Sequence, residues 1–210
     1  MSKKNTDIIK HRYNRISNVF NVMDGLSGLS SKKSRKKLLK SAKGNVLEIG
    51  VGTGANIEFY PKDTTVTGID FSPKMLEKAR KKVDNLNLDI NILEMDVEQL
   101  DFPDDTFDTV VATCVFCSVP NPIQGLKEIR RVTKANGKII MLEHMRSDNE
   151  FVGKIMDILN PIGLHIVGAN INRRTMDNIR KSQLQVTHEE LLMSSILREL
   201  TLSPNKKEIE

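Results

Sequence analysis

The stretch VLEIGVGTGAN, residues Val46–Asn56, decides the fold class of this 210-residue chain. It starts as an apolar strand, turns through glycines at positions 50, 52 and 54, and then enters a helix. Glycine lets a backbone turn sharply and brings a ligand against the free N–H groups at a helix start. Gly50, Gly52 and Ala55 also satisfy the relaxed dinucleotide-binding pattern G-x-G-x-x-G/A, so this stretch alone leaves more than one cofactor class open.

The residues that follow alternate between predicted strands and predicted helices. Ser72 suits an N-cap and Pro73 the first helical position. Asn121 caps a second helix, which is predicted to stop near Asn136–Gly137. Strands separated by helices at this spacing pair in parallel with right-handed crossovers. The predicted strands are Asn45–Ile49, Thr65–Asp70, Leu88–Met95, Phe107–Phe116 and Lys138–His144.

The last part of the chain breaks this alternation. Ser182–Leu191 and Ile196–Ser203 have the pattern of an antiparallel hairpin that closes one edge of the sheet. The predicted fold class is therefore α/β: a doubly wound, mostly parallel, seven-stranded Rossmann-like sheet with a C-terminal antiparallel hairpin and an N-terminal helical cap. The apolar segment Phe151–Ile171 is interrupted by Asn160–Pro161, and we expect it to lie in the core, with a lid or a membrane contact as alternatives.

The charge of the chain is concentrated near its start. Residues 1–43 hold 12 of the 32 Lys and Arg residues but only two acidic residues, so the remaining 167 residues are net negative. Residues 7–24 are predicted to form an amphipathic helix, and residues 1–43 a basic helical cap on the domain formed by 44–210. This basic cap is suited to contact an anionic partner, and Lys32–Lys43 is the candidate contact. The alternative is that its charged residues only face solvent.

Composition excludes several classes of protein. No stretch approaches the about 18 consecutive apolar residues that a bilayer-spanning helix needs, and the first 15 residues are too polar for a signal peptide. Two cysteines do not make a disulfide framework, so we expect a cytoplasmic protein with at most peripheral membrane contact. Cys114 and Cys117 form a lone C-x-x-C on a predicted strand without a second pair, so no metal is expected.

Two acidic residues, Glu48 and Asp96, separate the remaining cofactor classes, whereas Asp70 would bind ribose hydroxyls in either class. Glu48 stands two residues before the first glycine, Asp70 ends the second predicted strand, and Asp96 ends the third. With the glycine turn they form the set E-x-G-x-G-x-G, a ribose-binding acid and a later Asp. Over residues 45–145 this set resembles the class I S-adenosylmethionine-dependent methyltransferases.

The resemblance implies a role for each matching residue. The turn of Gly50, Gly52 and Gly54 would pack against the methionine portion of S-adenosylmethionine, and Glu48 would organise that turn. The remaining cofactor contacts that it implies are Asp70 with the ribose hydroxyls, Phe71 beside the adenine, Asp96 and the Val97 N–H on the adenine edge, and Thr113 and Cys114 near the sulfonium.

The flanking segments narrow the resemblance further. His11–Leu26 resembles the N-terminal helix of quinone-biosynthesis C-methyltransferases and small phospholipid N-methyltransferases. Cys117–Ser147 resembles the same group and also membrane-associated methyltransferases of lipophilic thiols. The implied acceptor is therefore a lipophilic small molecule or a phospholipid headgroup. The candidates for orienting it are Tyr13, Asp24, Glu143 and His144.

The acceptor atom and three other functions stay open at this point. Because no candidate base stands out, a nitrogen or sulfur acceptor is favoured over carbon. An RNA or protein methyltransferase is the main alternative, although CSVPNP after the fourth strand does not match the Asn-Pro-Pro-aromatic motif of enzymes that modify planar amides and amines. A nicotinamide-dependent oxidoreductase and a non-catalytic cofactor-binding protein are the others.

Overall fold

The computed structural model describes residues 32–166 and 168–206, so the predicted helix over 7–24, with Tyr13 and Asp24, lies outside the described residues. Within them, a single 3-10 turn, Ile57–Phe59, accompanies the regular elements. The helices are α1 (Lys32–Leu39), α2 (Pro73–Asn85), α3 (Pro122–Val132), α4 (Glu150–Ile166) and α5 (Thr175–Lys181). The strands are β1 (Asn45–Ile49), β2 (Thr65–Asp70), β3 (Ile90–Glu94), β4 (Phe107–Thr113), β5 (Thr133–His144), β6 (Gln185–Met193) and β7 (Leu197–Ser203).

The seven strands form one sheet in the order β3-β2-β1-β4-β5-β7-β6. The first five strands pair in parallel, with Ile49 opposite both Ile69 and Ala112. β7 runs antiparallel between β5 and β6 and places Leu197 opposite His144. The carboxyl ends of β1, β2, β4 and β5 therefore meet at one edge of the sheet, where ligands bind in open α/β folds. The predicted fold class and its antiparallel hairpin are confirmed.

Alternate residues of the strands build two apolar layers, one on each face of the sheet. On one face, Val46, Val66 and Ile140 pack against Leu38 and Leu39 of α1. On the other face, a larger set of strand residues packs against α3 and α5 through Leu126, Ile129 and Ile179. A sheet covered on both faces needs strands that are apolar throughout, which explains the near-continuous apolar runs in the sequence.

The predicted helix starts are confirmed by side-chain caps. The Ser72 hydroxyl accepts the Met75 N–H at the start of α2, and the Asn121 side chain accepts the Gln124 N–H at the start of α3. Each cap is followed directly by a proline at the first helical position, where the missing N–H leaves no hydrogen bond unmade. Both helices thus begin at the residue that the sequence indicates.

The predicted end of α3 near Asn136–Gly137 is wrong. The helix ends at Val132, because Thr133 adopts an extended conformation and pairs with Phe107 of β4. The Thr133 hydroxyl donates back to the Ile129 carbonyl, a local bond that competes with helix continuation. Asn136 and Gly137 consequently lie inside β5.

The expectation that the apolar segment after β5 lies in the core is also wrong. Residues Glu150–Ile166 form one continuous helix, which includes Pro161. Proline lacks an N–H and removes one helical hydrogen bond, yet the helix continues past it. Phe151 and Ile158 on this helix are 76% and 75% exposed. Among the described residues, no helix is long and apolar enough to cross a membrane.

Candidate cofactor site

The glycine turn after β1 supplies the floor of the site. Gly50, Gly52 and Gly54 have φ angles of +65°, +55° and +83°, a region that favours glycine. A Cβ on Gly50 would lie 2.7 Å from the Val115 side chain, and one on Gly54 would lie 2.5 Å from Ile57. A Cβ on Gly52 would meet no atom closer than 3.9 Å. Gly50 and Gly54 are therefore required by packing, whereas Gly52 faces free space.

That free space is a cavity at the carboxyl ends of β1, β2 and β4, with a volume of about 600 Å³ when the part open to solvent is included. Seven predicted site residues line it: Glu48, Gly50, Gly52, Asp70, Phe71, Thr113 and Cys114. Seven further residues complete the lining: Arg35, Val51, Thr53, Ala55, Met75, Val115 and Ser118.

Asp70 joins the glycine turn to the start of α2. Its two carboxylate oxygens accept the Gly52 N–H at 3.0 Å and the Ser72 N–H at 2.8 Å. Burial raises the pKa of Asp70 to about 6, against the opposing effect of these backbone hydrogen bonds. The carboxylate therefore holds the turn in shape and still borders the cavity.

Glu48 lies at the centre of a buried hydrogen-bond network. Its two oxygens accept the Asn56 side-chain amide at 2.8 Å and the Tyr60 hydroxyl at 2.9 Å. Burial raises the pKa of Glu48 to about 7, while the hydrogen bonds from Tyr60 and Asn56 and the charge of Arg35 act in the opposite direction. Tyr60 and Asn56 follow the glycine turn, so Glu48 fixes the chain on both sides of it.

Arg35 is a site residue that the sequence analysis missed. It is 6% exposed, and its Nη1 donates to the Asn56 side-chain oxygen at 2.9 Å and to the Thr113 hydroxyl at 3.0 Å. A signal was present, since Arg35 is the one arginine within Lys32–Lys43 and shares a helical face with Leu38 and Leu39. Its planar guanidinium suits two directed hydrogen bonds better than a lysine does.

β4 ends at Thr113, three residues before its predicted end, because Cys114 adopts a positive φ of 56°. The Cys114 N–H still donates to the Leu142 carbonyl at 2.8 Å, and its side chain borders the cavity. Cys117 is buried, and burial raises the pKa of its thiol to about 12. Both cysteines are free and lie beyond the strand, which corrects their predicted place on it.

Three predicted cofactor residues do not line the cavity. Gly54 packs against Ile57, as described above. Asp96 lies two residues past β3, where its carboxylate accepts the Glu98 N–H at 2.9 Å. Val97 is buried in the larger apolar layer.

Two acceptor-orienting candidates, Glu143 and His144, lie at the carboxyl end of β5. One oxygen of Glu143 accepts the Val115 N–H at 2.9 Å, so this residue shapes the loop after β4. Burial raises the pKa of Glu143 to about 7 and lowers that of the half-buried His144 imidazole. Neither side chain borders the cavity.

The arrangement fits S-adenosylmethionine. Any residue other than glycine at position 52 would place its side chain in the space above the turn. With glycine there, this space is free for a ligand to lie against the backbone of the turn. Carboxylates at the ends of two neighbouring strands, Glu48 and Asp70, suit a ligand with a positive charge and ribose hydroxyls. Phe71 and Met75 add apolar surface beside them.

Comparison with known proteins agrees with this geometry. Residues 47–141 match a family model described as a methyltransferase domain. A phosphatidylethanolamine N-methyltransferase of Cereibacter sphaeroides is 40% identical over 58% of this chain and 63% of its own length. A human thiol S-methyltransferase, TMT1B, is 31% identical over 73% of this chain and 67% of its own. A ubiquinone/menaquinone biosynthesis C-methyltransferase of Bdellovibrio bacteriovorus is 35% identical over 66% and 63%.

Solved structures show the same fold. A methyltransferase from Thermotoga maritima superposes with a TM-score of 0.69 at 21% identity, covering 94% of this chain and all of its own. The [4+2]-cyclase SpnF gives 0.67 at 16% identity, covering 81% and 78%, so likeness at this level establishes the fold alone. The chain spans 63% to 67% of the length of the three curated relatives named above. The family match, the relatives and the glycine-turn cavity together place the chain in the class I S-adenosylmethionine-dependent methyltransferases, a family and fold whose cofactor is S-adenosylmethionine.

Proposed function

We propose that this protein transfers a methyl group from S-adenosylmethionine to a lipophilic small molecule or a phospholipid headgroup. The observation that carries the proposal is the cavity above Gly52, which opens at the strand ends between Glu48, Asp70 and Thr113. Support for the acceptor class comes from relatives whose names specify a phospholipid, a thiol or a quinone precursor. The lipophilic character of these acceptors is shared, whereas the acceptor atom differs among them.

On this proposal the cofactor-binding residues act mainly by holding a fixed geometry. Bound S-adenosylmethionine supplies a methyl group that is already electrophilic. Asp70, which already accepts backbone hydrogen bonds, would also accept the ribose hydroxyls, and Phe71 would lie beside the adenine. Glu48 and Arg35 hold the turn and would place one carboxyl group and one guanidinium near the amino-acid portion of the cofactor. Asp96 and the Val97 N–H, which do not line the cavity, would hold the adenine edge.

The acceptor side requires alignment more than base catalysis. Holding a nucleophile in line with the methyl group can lower the barrier by about 7–11 kcal/mol. Of the ionisable side chains that line the cavity, Glu48 and Asp70 are already hydrogen-bonded within the fold. A neutral amine or a thiolate attacks with its own lone pair, so these acceptors suit the site better than carbon. Tyr13, Asp24, Glu143 and His144 remain the candidates for orienting the acceptor.

A basic surface on α1 supports contact with an anionic membrane. Lys32, Lys33 and Lys36 are exposed, and the Arg35 contact with Thr113 brings their helix to the cavity edge of the sheet. Lys37 instead pairs with Glu190 at 2.5 Å. Each lysine near an anionic lipid surface contributes about 1 kcal/mol. We infer a cytoplasmic protein that binds peripherally to a membrane.

The test uses purified protein, methyl-labelled S-adenosylmethionine and a whole-cell extract. After reaction, the label is separated into organic-soluble, acid-precipitable and small aqueous fractions. We expect label in the organic phase, and its loss in the matched variant Gly52→Val, whose side chain fills the cavity. Label in the precipitate would instead assign the acceptor to RNA or protein and contradict the proposal.

A further inference from the structure

Helix α4 carries the most exposed apolar stripe among the described residues. Phe151 and Ile158 are 76% and 75% exposed, and the other three members of the stripe are at least 42% exposed. Five large apolar side chains on one helical face exceed the scattered exposure that is normal for a soluble surface. The stripe consists of Phe151, Ile155, Ile158, Leu159 and Ile162.

The opposite face of α4 is fixed against the protein, so the stripe cannot rotate inward. Met156 is buried, and a Cβ on Gly153 would lie 2.4 Å from the Arg146 guanidinium. The Asn160 side-chain oxygen accepts the Ile171 N–H at 2.9 Å, which ties the helix to the loop that follows it. The outward orientation of the stripe is therefore a property of the fold.

The stripe lies at the same edge of the sheet as the cavity. Helix α4 follows the carboxyl end of β5, and the loop after it is bound to the β4 loop through the Asn170 N–H, which donates to the Cys117 carbonyl at 2.8 Å. Ser118, which follows Cys117 in the loop after β4, lines the cavity. A membrane or protein surface that covers the stripe therefore lies beside the entrance of the cavity.

We propose that α4 docks into the interface of a bilayer containing anionic phospholipid, with its apolar stripe at the boundary between headgroups and acyl chains. This inference rests on the proposed function, because it supplies the route by which a lipidic acceptor reaches the cavity. From Phe151 to Ile162 the stripe is about 17 Å long at 1.5 Å per residue, so it lies in the interface instead of crossing it. Lys154 is exposed on one flank of the stripe, where a long cationic side chain reaches lipid headgroups.

Residues 1–31 of the same chain are the alternative to a bilayer as the cover of this stripe. Charge complementarity favours the bilayer. Residues 1–31 contain five Lys or Arg and two acidic residues. The acidic side chains of α4, Glu150 and Asp157, are already paired with Arg146. The net positive charge of residues 1–31 would therefore meet Lys154 on the flank of the stripe, which it does not complement. The positive charge of residues 1–31 does complement an anionic surface, and so do Lys32 and Lys33 at the cavity edge. An anionic bilayer therefore suits Lys154, Lys32, Lys33 and residues 1–31 together.

A single tryptophan placed on the stripe tests the proposal directly. The chain contains no tryptophan, so Ile158→Trp introduces a unique fluorophore. The matched control is Leu86→Trp, which replaces an apolar residue that is 46% exposed at the C-cap of α2. Because α2 runs antiparallel to the strands, Leu86 lies at the sheet edge away from the cavity. The probes are vesicles of 3:1 phosphatidylcholine and phosphatidylglycerol, with and without brominated acyl chains.

We expect vesicles to shift the Ile158→Trp emission to shorter wavelength and brominated lipid to quench it, with no change for Leu86→Trp. An Ile158→Trp emission that vesicles leave unchanged overturns the proposal. An emission that is already short-wavelength without vesicles also overturns it. That result assigns the cover to residues 1–31, or to a second copy if the shift depends on protein concentration.

Sedimentation with the same vesicles provides a second measurement. Replacing two stripe residues together, Phe151→Gln and Ile158→Gln, should lower the partition coefficient at least about tenfold, including at high salt, where lysine contacts are screened. Leu86→Gln should leave it unchanged. Equal binding of the double variant and the native chain would contradict the insertion of α4.

These readouts separate the two proposals. If Ile158→Trp shows no shift but detergent-dispersed extract still yields organic-soluble label, α4 docking fails while the proposed function stands. If the emission shifts and no label reaches the organic phase, the protein binds the bilayer and the proposed acceptor class is wrong.

Discussion

The Arg35 guanidinium and the Asn56 side-chain amide are joined by a 2.9 Å hydrogen bond between residues that are 21 positions apart. Asn56 in turn donates to Glu48, so α1, the glycine turn and β1 share one buried network. A charged group that is buried in such a network is costly to leave unpaired. Helix α1 is therefore a structural part of the cavity wall.

Removal of this contact should weaken cofactor binding. In Arg35→Met the aliphatic part of the side chain is kept, but the hydrogen bonds to Asn56 and Thr113 are lost. Hydrogen bonds to charged groups contribute about 1.5–3 kcal/mol, so we expect affinity for S-adenosylhomocysteine to fall at least about tenfold in calorimetry. The exposed neighbour provides the control, Lys36→Met, which should bind normally. Equal affinities of the two variants would show that Arg35 does not shape the site.

Gly52 and Gly54 should respond differently to alanine. Gly52→Ala should cost about 1–2 kcal/mol of stability through its positive φ and should reduce S-adenosylhomocysteine binding strongly, since the new methyl group enters the cavity. Gly54→Ala adds a clash with Ile57 and should lower the midpoint of thermal unfolding further. Thermal unfolding with and without ligand measures both effects. A Gly52→Ala protein with native affinity would place the ligand elsewhere.

The stability of the ligand-free protein should fall as pH rises from about 4.5 to about 7. Burial raises the pKa of Glu48 in the folded state, so the folded protein binds more protons than the unfolded chain in this window. The contribution of Glu48 is present below its unfolded pKa and lost above about 7. It amounts to roughly 3 kcal/mol, and Asp70 and Glu143 act in the same direction.

The check is a series of unfolding midpoints between pH 5 and pH 8. Glu48→Gln removes one titrating group, so its midpoint should decline less than that of the native protein. The control is Glu77→Gln on α2, where an ion pair with Lys81 lowers the pKa of an exposed carboxylate. It should leave the decline unchanged. A steeper decline in Glu48→Gln would show that the carboxylate is not the buried group described here.

The two cysteines should differ in reactivity. Cys117 is buried with a thiol pKa of about 12, so we expect no alkylation of it by N-ethylmaleimide in the folded protein at pH 7.5. Cys114 borders the cavity and should react, and S-adenosylhomocysteine should protect it. Mass spectrometry would then count one modified thiol in native buffer and two in guanidinium. Fast reaction of Cys117 would contradict its burial.

Much of the fold could be predicted because local signals agree with the tertiary contacts. Strands β1 and β2 match their predicted bounds, since both are apolar runs limited by Gly44 and by the glycine turn or the Ser72 cap. The end of α3 was missed because it depends on Thr133 pairing with a strand 26 residues earlier. Only the three-dimensional structure supplies that pairing.

The site divides in the same way. Glu48 and Asp70, which the strand-turn-helix pattern predicts as site residues, do border the cavity, because both lie where parallel strands end. Arg35 was missed because its partners, Asn56 and Thr113, are distant in sequence and its neighbours are solvated lysines. The exposure of α4 was missed because a run of Ile and Leu residues looks the same whether it faces a core or a partner.

Sheet order has a consequence for how such a chain can diversify. All the described residues that line the cavity fall between Arg35 and Ser118. Helix α4 and the turn that joins β6 to β7 reach the same edge from the later part of the chain, where the Ser195 hydroxyl lies 2.9 Å from that of Ser147. If helix α4 and the turn between β6 and β7 were replaced by other sequences, every described residue that lines the cavity would stay the same. The described residues that line the cavity and the two later segments at its edge are thus encoded in separate stretches of the chain, which can vary independently.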